Sequence, residues 1–127
     1  MVFEYDLTVP KNTPKSNPKK KTLKLTYGII HQLEVMFPTG CAGLVHCTIN
    51  DALHQVFPTN PDGNFKGDGT LIKGKVFHEL ALEPYELQLL AWSEDDKYDH
   101  TITVRLWLLK PWQLFAFSED MWRKMGY

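Results

Sequence analysis

Apolar and polar side chains alternate with a two-residue period along most of this 127-residue chain. Between Met1 and Val9, Phe3, Tyr5, Leu7 and Val9 fall on one face and Glu4, Asp6 and Thr8 on the other. That period belongs to a strand with one buried face, because successive side chains of an extended backbone point to opposite sides. It returns in Leu23, Leu25 and Tyr27, and again in Ile29, Leu33, Val35 and Phe37, which form two strands or one long bent strand. Val45, Cys47 and Ile49 carry it next, and Val76, Leu80 and Leu82 repeat it. Tyr85, Leu87, Leu89 and Ala91 follow, and then Ile102, Val104, Leu106 and Leu108. Asp51 to Phe57 fits either a helical turn capped by Asp51 or a further strand, and the strand is preferred.

Turn residues separate these segments. Pro38, Thr39 and Gly40 mark one turn, and residues 58–69, PTNPDGNFKGDG, supply the Gly, Asn and Asp that surface loops use. The polar stretch SEDDKYD, 93–99, reads as a hairpin connector, so the strands on either side of it are expected to pair antiparallel. Seven or eight short strands with almost no helix predict an all-β fold. It is an antiparallel β-sandwich, with the jelly roll among the arrangements open to it. At this length, with 43% hydrophobic residues, one domain over 1–127 accommodates the chain. After Pro111 the period breaks into an aromatic tail, 111–127. There Ser118, Glu119 and Asp120 suit a helix start, and Arg123, Lys124 and Gly126 suit its end, so a short C-terminal helix is expected.

Charge is unevenly spread. Net charge is −1, yet residues 11–24 hold six of the fourteen basic residues and no acid. The rest of the chain carries eight Lys and Arg against fifteen Asp and Glu. Pro10, Pro14 and Pro18 punctuate the basic stretch, which has too few apolar residues to offset the entropy of ordering, so 10–22 reads as a flexible loop. Its Lys19, Lys20 and Lys21 suit contact with a neighbouring acidic body or protection of an adjacent strand edge. Nucleic acid is a second partner for the arm but is not the favoured one. No apolar run is long enough to cross a membrane, and the first residues lack a secretory signal, so cytoplasmic synthesis is expected, with the virus particle as a further location.

Signatures of catalysis and of metal binding are incomplete. Asp62, Asn64 and Gly67 match three positions of a calcium loop, but Lys66 and Lys73 stand where two further ligands belong. His31, His46, His54, His78 and His100 show no tight pair, and His31 and His78 lie in phase with apolar neighbours. Cys47 follows His46, and adjacent strand residues face opposite ways and share no proton. Cys41 and Cys47 are too few for a disulfide framework and read as buried free thiols. The acids Glu94, Asp95, Asp96 and Asp99 read as a solvated turn. No nucleophile elbow or phosphate-binding loop is present. We therefore expect no cofactor, no metal and no enzymatic activity.

Trp92 and Trp107 fall off the apolar phase of their strands, which sets large rings on an outer face. With Trp112, Phe115, Phe117 and Trp122 of the tail they make an apolar surface that the tail itself or another subunit must cover. The segments LTYGIIHQLEVMFPTGCAGLV, 25–45, and AWSEDDKYDHTITVRL, 91–106, resemble small β-sandwich structural proteins of virus particles. The resemblance implies repeated copies on a capsid or tail, with arms that reach their neighbours. The leading expectation is a non-enzymatic, self-associating structural protein, with Trp92, Trp107, Trp112, Phe115, Phe117, Trp122 and Lys19–Lys21 at its interfaces. The alternative is a module that binds a glycan or small ligand through Trp92, Trp107 and the 58–69 loop.

Overall fold

The structure is a computed structural model and is described over residues 1–113. Its strands are β1 (Val2–Val9), β2 (Lys19–Lys24), β3 (Gly28–Phe37), β4 (Val45–Asp51), β5 (His54–Phe57), β6 (Phe65–Lys66), β7 (Thr70–Leu80), β8 (Glu86–Ser93) and β9 (His100–Leu109). One sheet runs β1-β9-β3-β7 and the other β2-β8-β4-β5, with the two-residue β6 also on β4. All pairings are antiparallel.

The topology is that of a jelly roll. Strands β1 and β9, β2 and β8, β3 and β7, and β4 and β5 pair as rungs of one long hairpin whose tip is the turn at Ala52 and Leu53. Rolling that ribbon brings β3 beside β9 and β4 beside β8, which completes two sheets packed face to face. The alternating apolar faces meet between them. Val9, Leu23, Ile30, Val35, Val45, Ile49, Leu87, Leu89, Ile102 and Leu106 are fully buried there.

Three expectations are corrected by this pairing. The 93–99 stretch is not a hairpin: β8 and β9 lie in different sheets, and the connector crosses from one to the other. The expected flexible loop at 10–22 ends earlier, because Lys19–Lys21 are already strand, in register with Ala91, Leu90 and Leu89 of β8. Backbone pairing to a buried neighbour gives β2 its structure where side-chain hydrophobicity does not. Third, Ile29 and Ile30 are both buried, because a bulge at His31 shifts the face that β3 presents. Residues 51–57 do form strand, divided by the turn at Ala52, whose φ is 54°. Residues 111–113 are helical, whereas the helix expected from Ser118 lies outside the described residues.

Gly28 opens β3 where that strand presses on β9. A Cβ there would sit 2.7 Å from the Leu109 carbonyl oxygen, a backbone atom that cannot swing away. Gly74, in mid-β7, has nothing within 4 Å of a Cβ. Urea unfolding is expected to show Gly28→Ala less stable by about 1–3 kcal/mol, the usual cost of overpacking. Gly74→Ala should gain about 0.5–1 kcal/mol from the lower entropy of the unfolded chain.

Candidate functional site

A rolled ribbon has two flanks where the sheets' edge strands face each other, and here they are finished differently. On one flank β1 meets β2. Lys21, which shares the inward side of β2 with Leu23, donates from Nζ to the Asp6 carbonyl of β1 at 2.6 Å and lies 5.9 Å from the Tyr5 ring centre. The Tyr5 hydroxyl donates to the Lys24 carbonyl of β2. Side chains therefore lace the edges together, and an inward-pointing lysine keeps other strands away. Lys19 and Lys20 remain exposed at this margin.

The end of the sandwich that carries residues 10–18 is clamped by the 94–99 connector. Asp95 and His100 are both buried, and Asp95 Oδ2 lies 2.6 Å from His100 Nε2. Asp95 Oδ1 accepts from the Lys97 amide at 2.8 Å. Its hydrogen bond to His100, followed by the amide of Lys97, holds the Asp95 carboxyl below the usual carboxylate range. The arm is fastened to this connector by Asn12 N–H on the Asp95 carbonyl and Lys11 N–H on Asp99 Oδ1, both 2.8 Å. The sequence had assigned all four acids to a solvated turn. Nothing in the composition of SEDDKYD distinguishes Asp95 from Asp96.

That clamp also determines the fate of Trp92. The ring does face outward, as its phase required, but it is only 8% exposed. His46, its cross-strand partner, stacks beside it with centroids 5.5 Å apart, and Lys15 Nζ of the arm lies 5.4 Å from the ring centre. His46 Nδ1 lies 2.8 Å from Asn64 Oδ1, so the 58–69 loop completes the cover. Trp92, expected at an interface, is covered by its own chain. Trp107 is half-buried on the outer face of the other sheet, in register with Val2 and Gln32. Beside it Arg105 bridges Glu4 at 2.8 Å and Glu34 at 3.7 Å. Trp112 is exposed. Phe115, Phe117 and Trp122 lie outside the described residues.

The second flank, where β7 faces β5 and β6, is not laced. His78 Nε2 of β7 lies 2.8 Å from Asp51 Oδ2 at one end. Along the rest, β7 is hydrogen-bonded only to β3, so one side of an eleven-residue strand is without a strand partner among the described residues. Two cavities of about 230 Å³ and about 410 Å³ follow this edge. Phe57, Phe65, Ile72 and Val76 line them, and Phe77 stands 68% exposed at the rim. No sequence signal marked this flank, because alternation shows that a strand has a buried face and not whether its edge is paired.

The cysteines are free and buried. Burial raises the pKa of both thiols, and Cys47 faces the core while His46 faces outward. Among the described residues no group of three His, Cys, Asp or Glu is arranged to hold a metal ion. No described helix is long and apolar enough to cross a membrane.

No protein-family model and no curated protein matches the sequence. Among solved structures, FeII HppE is similar over 84% of this chain at 8% identity and a TM-score of 0.42, and the chain spans 43% of its length. A Bacillus endospore appendage, of a family of disulfide-linked pili, is similar over 86% of this chain and 88% of its own, at 10% identity and a TM-score of 0.36. The VP2 subviral particle of infectious bursal disease virus is similar over 84% of this chain and 33% of its own, at 10% identity and a TM-score of 0.30. The likeness to virion proteins is loose and brings no diagnostic motif, and at these scores none of the three bears on function.

The lowered Asp95 pKa fixes the sign of a pH effect. A carboxyl whose folded pKa is depressed stabilises the fold above its ordinary unfolded value, and that contribution fades as pH falls through the folded value. Asp95→Asn should therefore lower the Tm by several degrees at pH 7. The gap to the unsubstituted protein should close as pH is taken down through the carboxylate range in a thermal melt series.

Proposed function

We propose that this chain is a non-enzymatic structural protein that works by associating with copies of itself, as a unit of a larger assembly of the virion kind its sequence resembles. One observation carries the reading: the sandwich is laced shut along β1 and β2, whereas one edge of β7 has no strand partner among the described residues and borders an apolar groove. Proteins that function alone blunt such edges, because an unpaired strand beside apolar surface recruits other chains. The charge distribution is compatible with it. Lys19 and Lys20 project from the margin of a body rich in acids, so neighbouring copies attract by opposite charge. Exposed ion pairs contribute only about 0–1 kcal/mol each, and they orient more than they hold. Apolar burial supplies the holding energy, about 1.5–3 kcal/mol for each large side chain covered.

A glycan-binding role through the tryptophans is less well supported. Trp92 is packed against His46 and under Lys15, whereas Trp107 is half-buried on the outer face of its sheet. Trp92, 8% exposed, does not offer the free ring face that stacking on a sugar requires.

Sedimentation over a range of concentrations should show the full chain forming oligomers. Phe77→Lys should shift that equilibrium toward monomer by roughly tenfold or more, the loss of one buried aromatic contact. Its circular dichroism and Tm should stay unchanged, because Phe77 is already exposed. Trp92→Ala should instead lower the Tm with little effect on association. A full chain that stays monomeric at every concentration contradicts the proposal.

A further inference from the structure

The geometry points to the occupant of the open flank: the apolar C-terminal segment of a second copy, Leu114 to Phe117, laid along β7 as an added strand. The inference rests on the assembly reading and specifies its contact. Among the described residues one edge of β7 has no strand partner, and the groove beside it is walled by Phe57, Phe65, Ile72 and Val76. A strand added there would turn every second side chain into that groove, which is how an extended segment is recognised at a sheet edge. Residues 114–117 read Leu-Phe-Ala-Phe, with Phe115 and Phe117 two apart. Charge agrees as well. Lys73 and Lys75 lie exposed on β7, and neither makes an ion pair with another described residue. Glu119 and Asp120 follow the aromatic pair in sequence.

Topology favours a neighbour's segment over the chain's own. The described chain leaves β9 at the end where Leu109 is in register with Ile29, and Ile29 with Glu79. From there the same copy's segment would have to skip past β3 and β7 to reach the free side of β7, whereas consecutive strands are usually neighbours. A neighbour's segment meets no such obstacle, and residues 114–127 extended reach roughly 45 Å, enough to span a flank. Each copy donates a tail and accepts one, so reciprocal exchange closes a two-fold dimer and head-to-tail exchange propagates into rings or filaments.

The test uses the full chain with a photo-reactive benzoylphenylalanine in place of Phe117. Copies labelled with ¹⁴N and ¹⁵N are mixed, irradiated and mapped by mass spectrometry, with sedimentation run in parallel. The expected result is cross-linked peptide pairs of mixed isotope that join the tail to 54–59 or 70–80. Their yield should fall several-fold with Lys73→Glu and Lys75→Glu together, and recover when Glu119→Lys and Asp120→Lys are added. Cross-links confined to one isotope place the tail on its own copy and overturn the inference. Oligomers without tail cross-links to this flank also overturn it while leaving self-association intact. A full chain monomeric at all concentrations overturns both.

Discussion

Rolling a two-faced ribbon buries one face and leaves two flanks, and the rest of this structure follows from how each flank is finished. Burial of the inner faces drives the roll, because Leu, Ile and Val from both sheets meet there with no polar group among the fully buried residues. The edges obey different physics. An unpaired edge displays hydrogen-bonding groups that water or another strand must satisfy, and burial of the core does nothing for them. Tyr5 and Lys21 satisfy part of that demand on the β1–β2 flank. On the β7 flank the described residues leave it unmet, beside an apolar groove.

One end of the roll is held by polar contacts. The Asp95–His100 pair orders the connector, the connector holds the arm, and the arm carries Lys15 over Trp92. A buried, hydrogen-bonded pair contributes rigidity more surely than stability, since desolvation offsets much of its attraction. Here that rigidity removes a large ring from the surface, and the remaining apolar exposure of the strands concentrates elsewhere. Phe77, at the open flank, is the most exposed aromatic residue within a strand among the described residues.

The fold class was legible in the sequence because strand phase is written in alternation, and β1, β8 and β9 follow it residue by residue. Partnership was not legible. Alternation assigns a face to Leu89 or Ile102 but no neighbour, so SEDDKYD looked like a hairpin although it joins two sheets. Lys19–Lys21 hid a strand because β2 is stabilised by pairing to β8 rather than by its own apolar residues. The outward phase of Trp92 was read correctly, and its cover was not, since that depends on an arm distant in sequence. The open flank was invisible for the same reason: an edge is a property of the assembled sheet.

Amide hydrogen exchange along the edge strands, measured at low and high protein concentration, tests the asymmetry of the flanks most directly. Protection of amides in 70–80 should rise with concentration while the amides of β1 and β2 exchange at the same rates throughout. Unchanged exchange along β7, or concentration-dependent protection that appears along β1 and β2 instead, would contradict an open flank that works between copies.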